Sequence, residues 1–338
     1  MAKMDIGFAA VAKLAGVSTA TVSNALNRPE IVAPATRERV RAAIAALDFV
    51  PNRAAATLRQ GTNRLVGLVI PDIVNPFYGA LTRGVTEAAA EHGYTVALCV
   101  SHDDPDLELR HFGMLAEHRA AGVLVAPLSA DFSRLEQLRR VGSHLVLMDR
   151  TAPTDSGCSV AIDDQQGGAL AVRHLLDTRG AEIALVNGSH SIPQCEDRWL
   201  GARSALTEHG LDPDSLIEWT VDEMTIAAGR RAGFELAGRD ARPSAVFCTN
   251  DQLALGVVRG LTEAGLRVPR DVAVVGYGDL ALASESLVPL TSVDQPKDAL
   301  GRAAFETLLA EVAADPETHR HTSRILEPGL VVRDSAPA

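Results

Sequence analysis

The sequence predicts an α/β protein with a three-helix head (residues 7–49), a short connecting segment (50–63), and a two-lobed core of parallel sheets (64–338). Three observations predict this architecture. Apolar residues recur at helical spacing in the head, an alanine-rich stretch follows, and from Leu65 apolar strands alternate with helices. Regular β–α alternation is typical of parallel sheets covered on both faces. Because this alternation continues for about 270 residues, more than one sheet usually contains, we expect two lobes.

The helical head is predicted from three groups of apolar residues with a turn between the first two. Gly16 can adopt the left-handed conformation that ends a helix, and Ser18 can cap the next helix through its hydroxyl. Two helices joined by such a turn are typical of a helix-turn-helix unit. The apolar groups are Val11, Leu14 and Ala15; Val22, Ala25 and Leu26; and Val40, Ile44 and Leu47.

The segment after the head contains a marginal helix. Pro51 breaks the preceding structure, Asn52 can cap a helix, and Gly61 can end it. A helix of about two turns is barely stable alone in water. Such a helix could form only when a partner is bound. Alternatively, the segment could be a simple linker, and its composition fits both interpretations equally well.

The core contains a regular series of strands and helices. The predicted strands are Leu65–Ile70, Tyr94–Val100, Val123–Ala126, Leu145–Met148, Val160–Ile162, Ile183–Val186, Val246–Cys248, Val272–Val275 and Ile325–Val332. The predicted helices are Pro76–His92, Leu107–Arg119, Phe132–Val141, Gly167–Thr178, Arg198–His209, Ile226–Ala237, Leu253–Ala264 and Asp298–Ala313. Ligands in such folds bind beyond the carboxyl ends of the strands, here in the cleft between lobes.

Charge is divided unevenly along the chain. The whole chain of 338 residues carries a net charge of −11. Residues 1–64 hold nine Lys and Arg against four Asp and Glu (+5), and the remainder holds 23 against 39 (−16). A basic head on an acidic body is expected when one small domain contacts phosphates, although small domains also vary in charge by chance.

Several classes of protein are disfavoured. No apolar run reaches the roughly 18 residues of a membrane helix, and residues 1–8 lack the apolar core of an export signal. We therefore expect a cytoplasmic protein without membrane contact. Cys99, Cys158, Cys195 and Cys248 form no CxxC pair, so we expect buried thiols and neither a metal site nor a cofactor.

An ordered set of motifs closely resembles the lactose-repressor/galactose-repressor (LacI/GalR) family of transcriptional regulators over essentially the whole chain. The motifs, in chain order, are residues 11–27, 36–40, 50–52, 58–59, 66–72, 75–78, 250–251, 275–277 and 289–293. The resemblance implies a DNA-binding head and hinge, and a periplasmic-binding-protein-like core without an export signal. It also favours a repressor over an activator.

For the head, the resemblance implies that the second helix lies in the major groove of DNA. Thr19, Ala20 and Asn24 match the base-reading positions. Asn24 can bond adenine, and the other two can meet a thymine methyl group. Phosphate contact or plain helix surface is the alternative for Thr19 and Ala20. The expected backbone contacts are Ser18, Thr21, Asn27 and Arg53.

For the hinge, the resemblance implies that two helices, one per subunit, pair in the minor groove. Leu58 matches the leucine that wedges between base pairs, and Ala55 matches its close-packed partner position. A homodimer on a near-palindromic DNA operator follows from two-fold symmetry. A tetramer is not excluded.

For the core, the resemblance implies a small-molecule effector, most simply a sugar or sugar derivative, between the lobes. The matching positions are Phe77, Tyr78, Asp149, Gln194, Arg198, Met224, Asn250 and Gly278. Arg198 is expected to clamp ligand oxygens, or else to form an ion pair with Glu196 or Asp197. Asn250 suits hydroxyl groups, with helix capping as its alternative, and core packing is the alternative for Phe77 and Tyr78.

Two of these positions depart from the family pattern. Met224 stands where an aromatic ring often stacks on the ligand. Gly278 stands where many members place an aspartate, which Asp149 or Asp279 could replace. Without that carboxylate, the pocket could bind a more acidic effector.

Two other functional classes fit less well. No dinucleotide loop, GxSxG elbow or HExxH motif is present, so we expect no catalytic residues and no enzyme. A solute-binding receptor for transport fits the core but not the helix-turn-helix head. The sequence does not identify the effector, the operator, or the direction of the effector's action.

Overall fold

The computed structural model describes residues 7–49, 63–128, 135–151, 157–315 and 318–338. The chain divides into two compact units, Met1–Asn63 and Arg64–Ala338. The predicted hinge helix lies in residues 50–62, outside the described residues, and so do Arg53, Ala55 and Leu58. None of the described helices is long and apolar enough to cross a membrane.

The head contains three helices, α1 (Phe8–Ala15), α2 (Thr19–Asn27) and α3 (Pro34–Ala46). Gly16 ends α1 with a φ of 65°, and the Ser18 hydroxyl accepts a hydrogen bond from the Thr21 amide at 3.1 Å. Both predicted roles are confirmed. The core of the head consists of Val11, Ala12, Ala15, Val22, Val40, Ala43 and Phe49.

Two leucines of the predicted apolar face are exposed rather than buried. Leu14 is 55% exposed and Leu26 is 37% exposed. The expectation that Leu26 belongs to the core was therefore wrong. Helical spacing fixes which side chains share a face but not how wide the buried stripe is. Phe8 and Phe49, whose rings lie 5.5 Å apart edge to face, add core volume that the spacing did not predict.

The larger unit contains two six-stranded sheets, each forming one lobe, in the orders β11-β5-β4-β3-β1-β2 and β12-β10-β9-β8-β6-β7. The strands of the first lobe are β1 (Leu65–Ile70), β2 (Thr95–Val100), β3 (Gly122–Val125), β4 (His144–Met148), β5 (Cys158–Ile162) and β11 (Ser323–Leu326). Those of the second are β6 (Ile183–Asn187), β7 (Ile217–Thr220), β8 (Ala245–Cys248), β9 (Ala273–Gly278), β10 (Thr291–Asp294) and β12 (Gly329–Val331).

Helices cover both faces of each sheet, and buried apolar clusters lie between them. They are α4 (Pro76–Glu91), α5 (Pro105–Glu117), α6 (Glu136–Arg140), α7 (Asp164–Arg179), α8 (Pro193–Glu208), α9 (Ile226–Ala237), α10 (Asp251–Glu263), α11 (Ala281–Glu285) and α12 (Lys297–Ala313). The predicted strand β1 and helix α9 agree with the structure residue for residue, and most other predicted boundaries shift by a few residues.

The predicted strand Ile325–Val332 was wrong. The structure has two strands there, separated by Glu327 and Pro328. β11 runs parallel to β5, with Ser323 opposite Ser159, whereas β12 runs antiparallel to β10, with Gly329 opposite Asp294. The chain therefore changes lobes between them, as it also does after β5 and after β10. β7, β10 and α11 were missed because they are short, and β10 (Thr-Ser-Val-Asp) is polar although buried.

Glycines allow α7 and α8 to pack in direct backbone contact. A Cβ atom at Gly168 would lie 2.1 Å from the carbonyl oxygen of Arg198, and one at Gly201 would lie 1.8 Å from that of Gln165. Such distances leave no space for any side chain at these two positions. This close approach fixes the position of α8, which carries Arg198.

Candidate functional site

The first candidate surface is the exposed side of α2 in the head. Thr19 and Ala20 are exposed and Asn24 is half-buried, and with Phe8 and Ser23 they line an open hollow of about 390 Å³. The core of the head is formed by other residues. The three predicted base-reading side chains therefore share one accessible face.

The predicted backbone-contact residues in the head lie at the two ends of α2. Ser18 caps the helix, and its hydroxyl lies 2.9 Å from the hydroxyl of Thr21. Asn27 is the last residue of α2. At the start of this helix, the Ser18 cap takes the amide of Thr21, one of the N–H groups that a helix amino terminus leaves without a partner inside the helix.

The second candidate site is a cavity of about 130 Å³ at the carboxyl ends of the strands, between the two lobes. All eight residues predicted for the pocket line it: Phe77, Tyr78, Asp149, Gln194, Arg198, Met224, Asn250 and Gly278. The other lining residues are Asn75, Ile192, Cys195, Gln252, Tyr277, Leu280 and Gln295. The structure thus brings together side chains from both lobes that are far apart in sequence.

The aromatic part of the cavity lies at the start of α4, directly after β1. Asn75 caps this helix by accepting a hydrogen bond from the Phe77 amide at 3.1 Å. Phe77 and Tyr78 pack edge to face, with ring centroids 5.1 Å apart. Phe77 is 7% exposed and belongs to the core of the first lobe, so its predicted alternative of core packing is realised while it also lines the cavity.

Arg198 is almost completely buried, at 7% exposure, and two of its three guanidinium nitrogens donate to protein groups. Its Nε donates to Asp164 at 2.8 Å, its Nη1 donates to the Thr249 carbonyl at 2.6 Å, and its guanidinium lies 3.8 Å from the ring centroid of Tyr277. The Tyr277 hydroxyl donates to the same Asp164 oxygen at 2.6 Å. Although burial opposes the charge, Asp164 raises the pKa of Arg198, so the guanidinium stays charged.

The expected alternative partners of Arg198 were wrong. Glu196 is hydrogen-bonded to His190, and Asp197 accepts from Gln165 at 2.8 Å. The observed partner, Asp164, is the first residue of α7. It lies just after β5, where the chain passes from the first lobe to the second. Sequence neighbours one or two positions away on a helix do not face each other, which explains the error.

Asp149 is the buried acid of the cavity. Gln194 donates to its carbonyl oxygen at 2.7 Å and to Oδ2 at 3.0 Å, whereas Oδ1 is buried without a hydrogen-bond partner. Burial, reinforced by the carboxylate of Asp164, raises the pKa of Asp149 to about 7. Its φ of 58° is unusual for a residue with a side chain, and such strain is often found at functional sites.

Asn250 has two structural partners in addition to facing the cavity. Its Oδ1 accepts from the Leu253 amide at 2.7 Å and its Nδ2 donates to the Met224 carbonyl at 3.1 Å. The capping alternative is therefore realised. Asn250 thereby holds Met224 at the cavity wall.

Gly278 lines the cavity with a φ of 125°, a conformation that a side chain would strain. The neighbouring Asp279 accepts from Arg333 Nη1 at 2.6 Å. Of the two acids considered as replacements for the family's aspartate, Asp149 is the one that lines the cavity.

Three polar side chains that line the cavity were not predicted from the sequence, namely Asn75, Gln252 and Gln295, and neither was Asp164, which binds Arg198 but does not line the cavity. Gln295 directly follows β10, and Asp164, the partner of Arg198, closely follows β5. Both lie at carboxyl strand ends, which is the signal that could have identified them. Gln295 was missed because β10 itself was missed.

Comparisons with known proteins agree with both the helical head and the two-lobed core. A family model described as "Bacterial regulatory proteins, lacI family" matches residues 9–52, and one described as "Periplasmic binding protein-like domain" matches residues 172–336. The chain is 35% identical over 334 residues to the HTH-type transcriptional repressor PurR of Vibrio vulnificus, covering 96% of this chain and 97% of the relative.

Two solved structures of related regulators each match 98% of this chain and 99% of the length of the matched chain. The transcriptional regulator CelR in complex with cellobiose is 34% identical, with a TM-score of 0.73. The lac repressor dimer bound to operator and the anti-inducer ONPF is 26% identical, with a TM-score of 0.87. Given the identity to the PurR repressor over nearly the whole length of both proteins, this chain belongs to the LacI family of DNA-binding transcriptional regulators.

Proposed function

We propose that this protein is a dimeric repressor whose affinity for a near-palindromic operator is controlled by a sugar-like molecule bound between the lobes. The observation that carries the proposal is that all eight predicted residues line one cavity. Phe77, Tyr78 and Asp149 come from the first lobe, and the other five come from the second. A molecule that contacts both lobes shifts the equilibrium between their arrangements by its differential affinity for them.

The chemistry of the cavity supports a small polyhydroxyl effector. Five amide side chains line it: Asn75, Gln194, Asn250, Gln252 and Gln295. An amide group contains both a donor and an acceptor, as hydroxyl groups require, and the first three of these side chains also hold protein partners. At about 130 Å³, the cavity is smaller than the roughly 300–1,000 Å³ typical of sites for drug-sized ligands. The cellobiose complex of the related CelR supports the same class of ligand.

On the DNA, we propose that Asn24 bonds an adenine and that Thr19 and Ala20 contact a thymine methyl in the major groove. Ser18, Thr21, Asn27 and Arg53 then contact the backbone, and Leu58 acts as the minor-groove wedge beside Ala55. The dimer on operator DNA reported for the lac repressor supports two half-sites per protein dimer. Sedimentation of the free protein distinguishes this dimer from a tetramer.

The operator is identified by selecting bound DNA from a random pool, and the effector by a thermal-shift screen of sugars and sugar acids. We expect inverted half-sites, and a ligand that both raises the melting temperature and changes operator affinity. Selected DNA without inverted repeats would contradict the dimeric mode. A screen in which no sugar or sugar acid binds would contradict the effector class.

A pair of tyrosines then tests the cavity itself. Tyr78→Phe removes one hydroxyl from the cavity, whereas Tyr94→Phe removes one from a ring that packs on Arg64 and Phe305. We expect calorimetry with the selected sugar to show weaker binding for the first variant only. Equal affinity in both variants would place the effector elsewhere.

A further inference from the structure

A cluster of metal-ligating side chains lies at the amino-terminal edge of the first-lobe sheet, opposite the cavity. It consists of Cys158, the first residue of β5; Glu311, in the last turn of α12; and His319 and His321, in the segment leading into β11. The cavity takes its residues from the carboxyl ends of the same strands, so the cluster is separate from the proposed effector site.

The distances in the cluster fit a tetrahedral ion. The Cys158 Sγ lies 3.3 Å from His319 Nε2 and 3.8 Å from His321 Nδ1, and the four ligand atoms lie within 4.8 Å of one another. Ligands held about 2.0–2.3 Å from a tetrahedral zinc ion are about 3.3–3.8 Å apart. The arrangement therefore needs only small side-chain adjustments to enclose an ion.

Glu311 provides a second and independent observation. Its side chain is 11% exposed, and Oε2 is buried with no hydrogen-bond partner other than the neighbouring Cys158 thiol, which is a weak donor. Oε1 accepts from the Leu145 amide at 3.4 Å and lies 3.6 Å from His144 Nδ1, which orients the carboxylate. A buried carboxylate oxygen without a strong partner is costly, and a cation bound there would remove that cost.

The charges and the types of ligand indicate which ion would bind. One thiolate, one carboxylate and two neutral imidazoles carry a total charge of −2, which a divalent cation neutralises. Thiolate and imidazole ligands favour zinc-class ions, whereas Mg²⁺ and Ca²⁺ prefer oxygen ligands. On binding, the thiol proton leaves to solvent as the sulfur–metal bond forms.

We propose that Cys158, Glu311, His319 and His321 form a binding site for a zinc-class divalent ion, which ties β5, α12 and the start of β11 together. No metal site was expected from the sequence, because these residues have no CxxC or HExxH spacing. Only the parallel pairing of β5 with β11, which places Ser159 opposite Ser323, brings the histidines beside the cysteine.

Cobalt provides a direct spectroscopic test on the full-length protein, prepared without a histidine tag, reduced and treated with a chelator. We expect one equivalent of Co²⁺ per chain to give the visible bands of a tetrahedral site and a thiolate-to-cobalt band in the near ultraviolet. Zn²⁺ should displace it. Absence of stoichiometric binding would overturn the proposal.

Variants separate this site from adventitious binding. Cys158→Ser should abolish the thiolate band. His321→Ala, at an exposed position, should weaken binding by at least about tenfold, since even removing a residue that supports a metal ligand typically costs 10–100-fold. Cys99→Ser and His118→Ala serve as matched controls and should bind as the parent does. Unchanged binding in His321→Ala, or an unchanged band in Cys158→Ser, would contradict the site.

Discussion

The exposed face of α2 and the cavity between the lobes place polar side chains under opposite constraints. Thr19 and Ala20 are exposed and lie outside the core of the head, so water solvates them in the free protein. Asp149 and Arg198 are 8% and 7% exposed, so their charges depend on protein partners. Because buried charges without partners are costly, Asp149 and Arg198 must contribute to stability as well as to the effector binding proposed for them, whereas Thr19 and Ala20 are not under that constraint.

The largest expected effect follows from breaking the buried ion pair. Arg198→Ala leaves Asp164 buried without its cation, and we expect the free energy of unfolding to fall by about 3–5 kcal/mol. Arg173→Ala, which breaks the exposed pair with Glu208, should cost about 0–1 kcal/mol. Urea denaturation measures both values. Similar small losses in the two variants would show that Asp164 is satisfied without Arg198.

The pH dependence of stability tests Asp149. Because its pKa is raised from 3.8 to about 7, the folded protein holds a proton that the unfolded chain releases between these values. Stability should therefore fall as pH rises from about 4 to about 7, by an amount on the order of 2–4 kcal/mol. Asp149→Asn should remove this part of the decrease, whereas Asp240→Asn, at an exposed position, should retain it. Identical pH profiles for the parent and Asp149→Asn would contradict the raised pKa.

A smaller effect is expected from the glycine contact that positions Arg198. Gly168→Ala places a methyl group 2.1 Å from the Arg198 carbonyl, and the required shift of α8 should cost about 1–3 kcal/mol. Gly79→Ala, in α4 with open space around it, should be neutral or stabilising by up to about 1 kcal/mol. Thermal unfolding compares the two. If Gly168→Ala were as stable as Gly79→Ala, the close helix contact would be less rigid than the structure indicates.

The smallest effect on stability is expected on the α2 face. Asn24→Ala should change the free energy of unfolding by no more than about 0.5 kcal/mol, yet relax base choice at one position per half-site by about 1–3 kcal/mol. Ser18→Ala, which removes the helix cap, should instead cost about 1 kcal/mol of stability. Binding to a panel of single-base operator variants provides the test. If Asn24→Ala weakened binding to every operator variant equally, Asn24 would contact the DNA backbone rather than a base.

The sequence by itself determined the local elements of this protein. Gly16 and Ser18 fix the turn between α1 and α2 through backbone freedom and hydroxyl capping, both of which act within a few residues. Apolar runs and helical spacing likewise located β1 and α9. Of the eight cavity positions, Phe77, Tyr78, Asn250 and Gly278 lie in or next to the motifs that carry the family resemblance. The other four were assigned by the resemblance of the whole chain: Asp149, Gln194, Arg198 and Met224.

Only the tertiary structure decided which distant residues become partners. Asp164 meets Arg198 through the packing of α7 against α8, and Cys158 meets His319 through the pairing of β5 with β11, and no local pattern encodes either contact. The division of residues 325–332 between strands of two different lobes likewise depends on long-range strand pairing. The physical reason is that burial and charge pairing depend on long-range packing, whereas capping, turns and periodicity depend on neighbours in the chain.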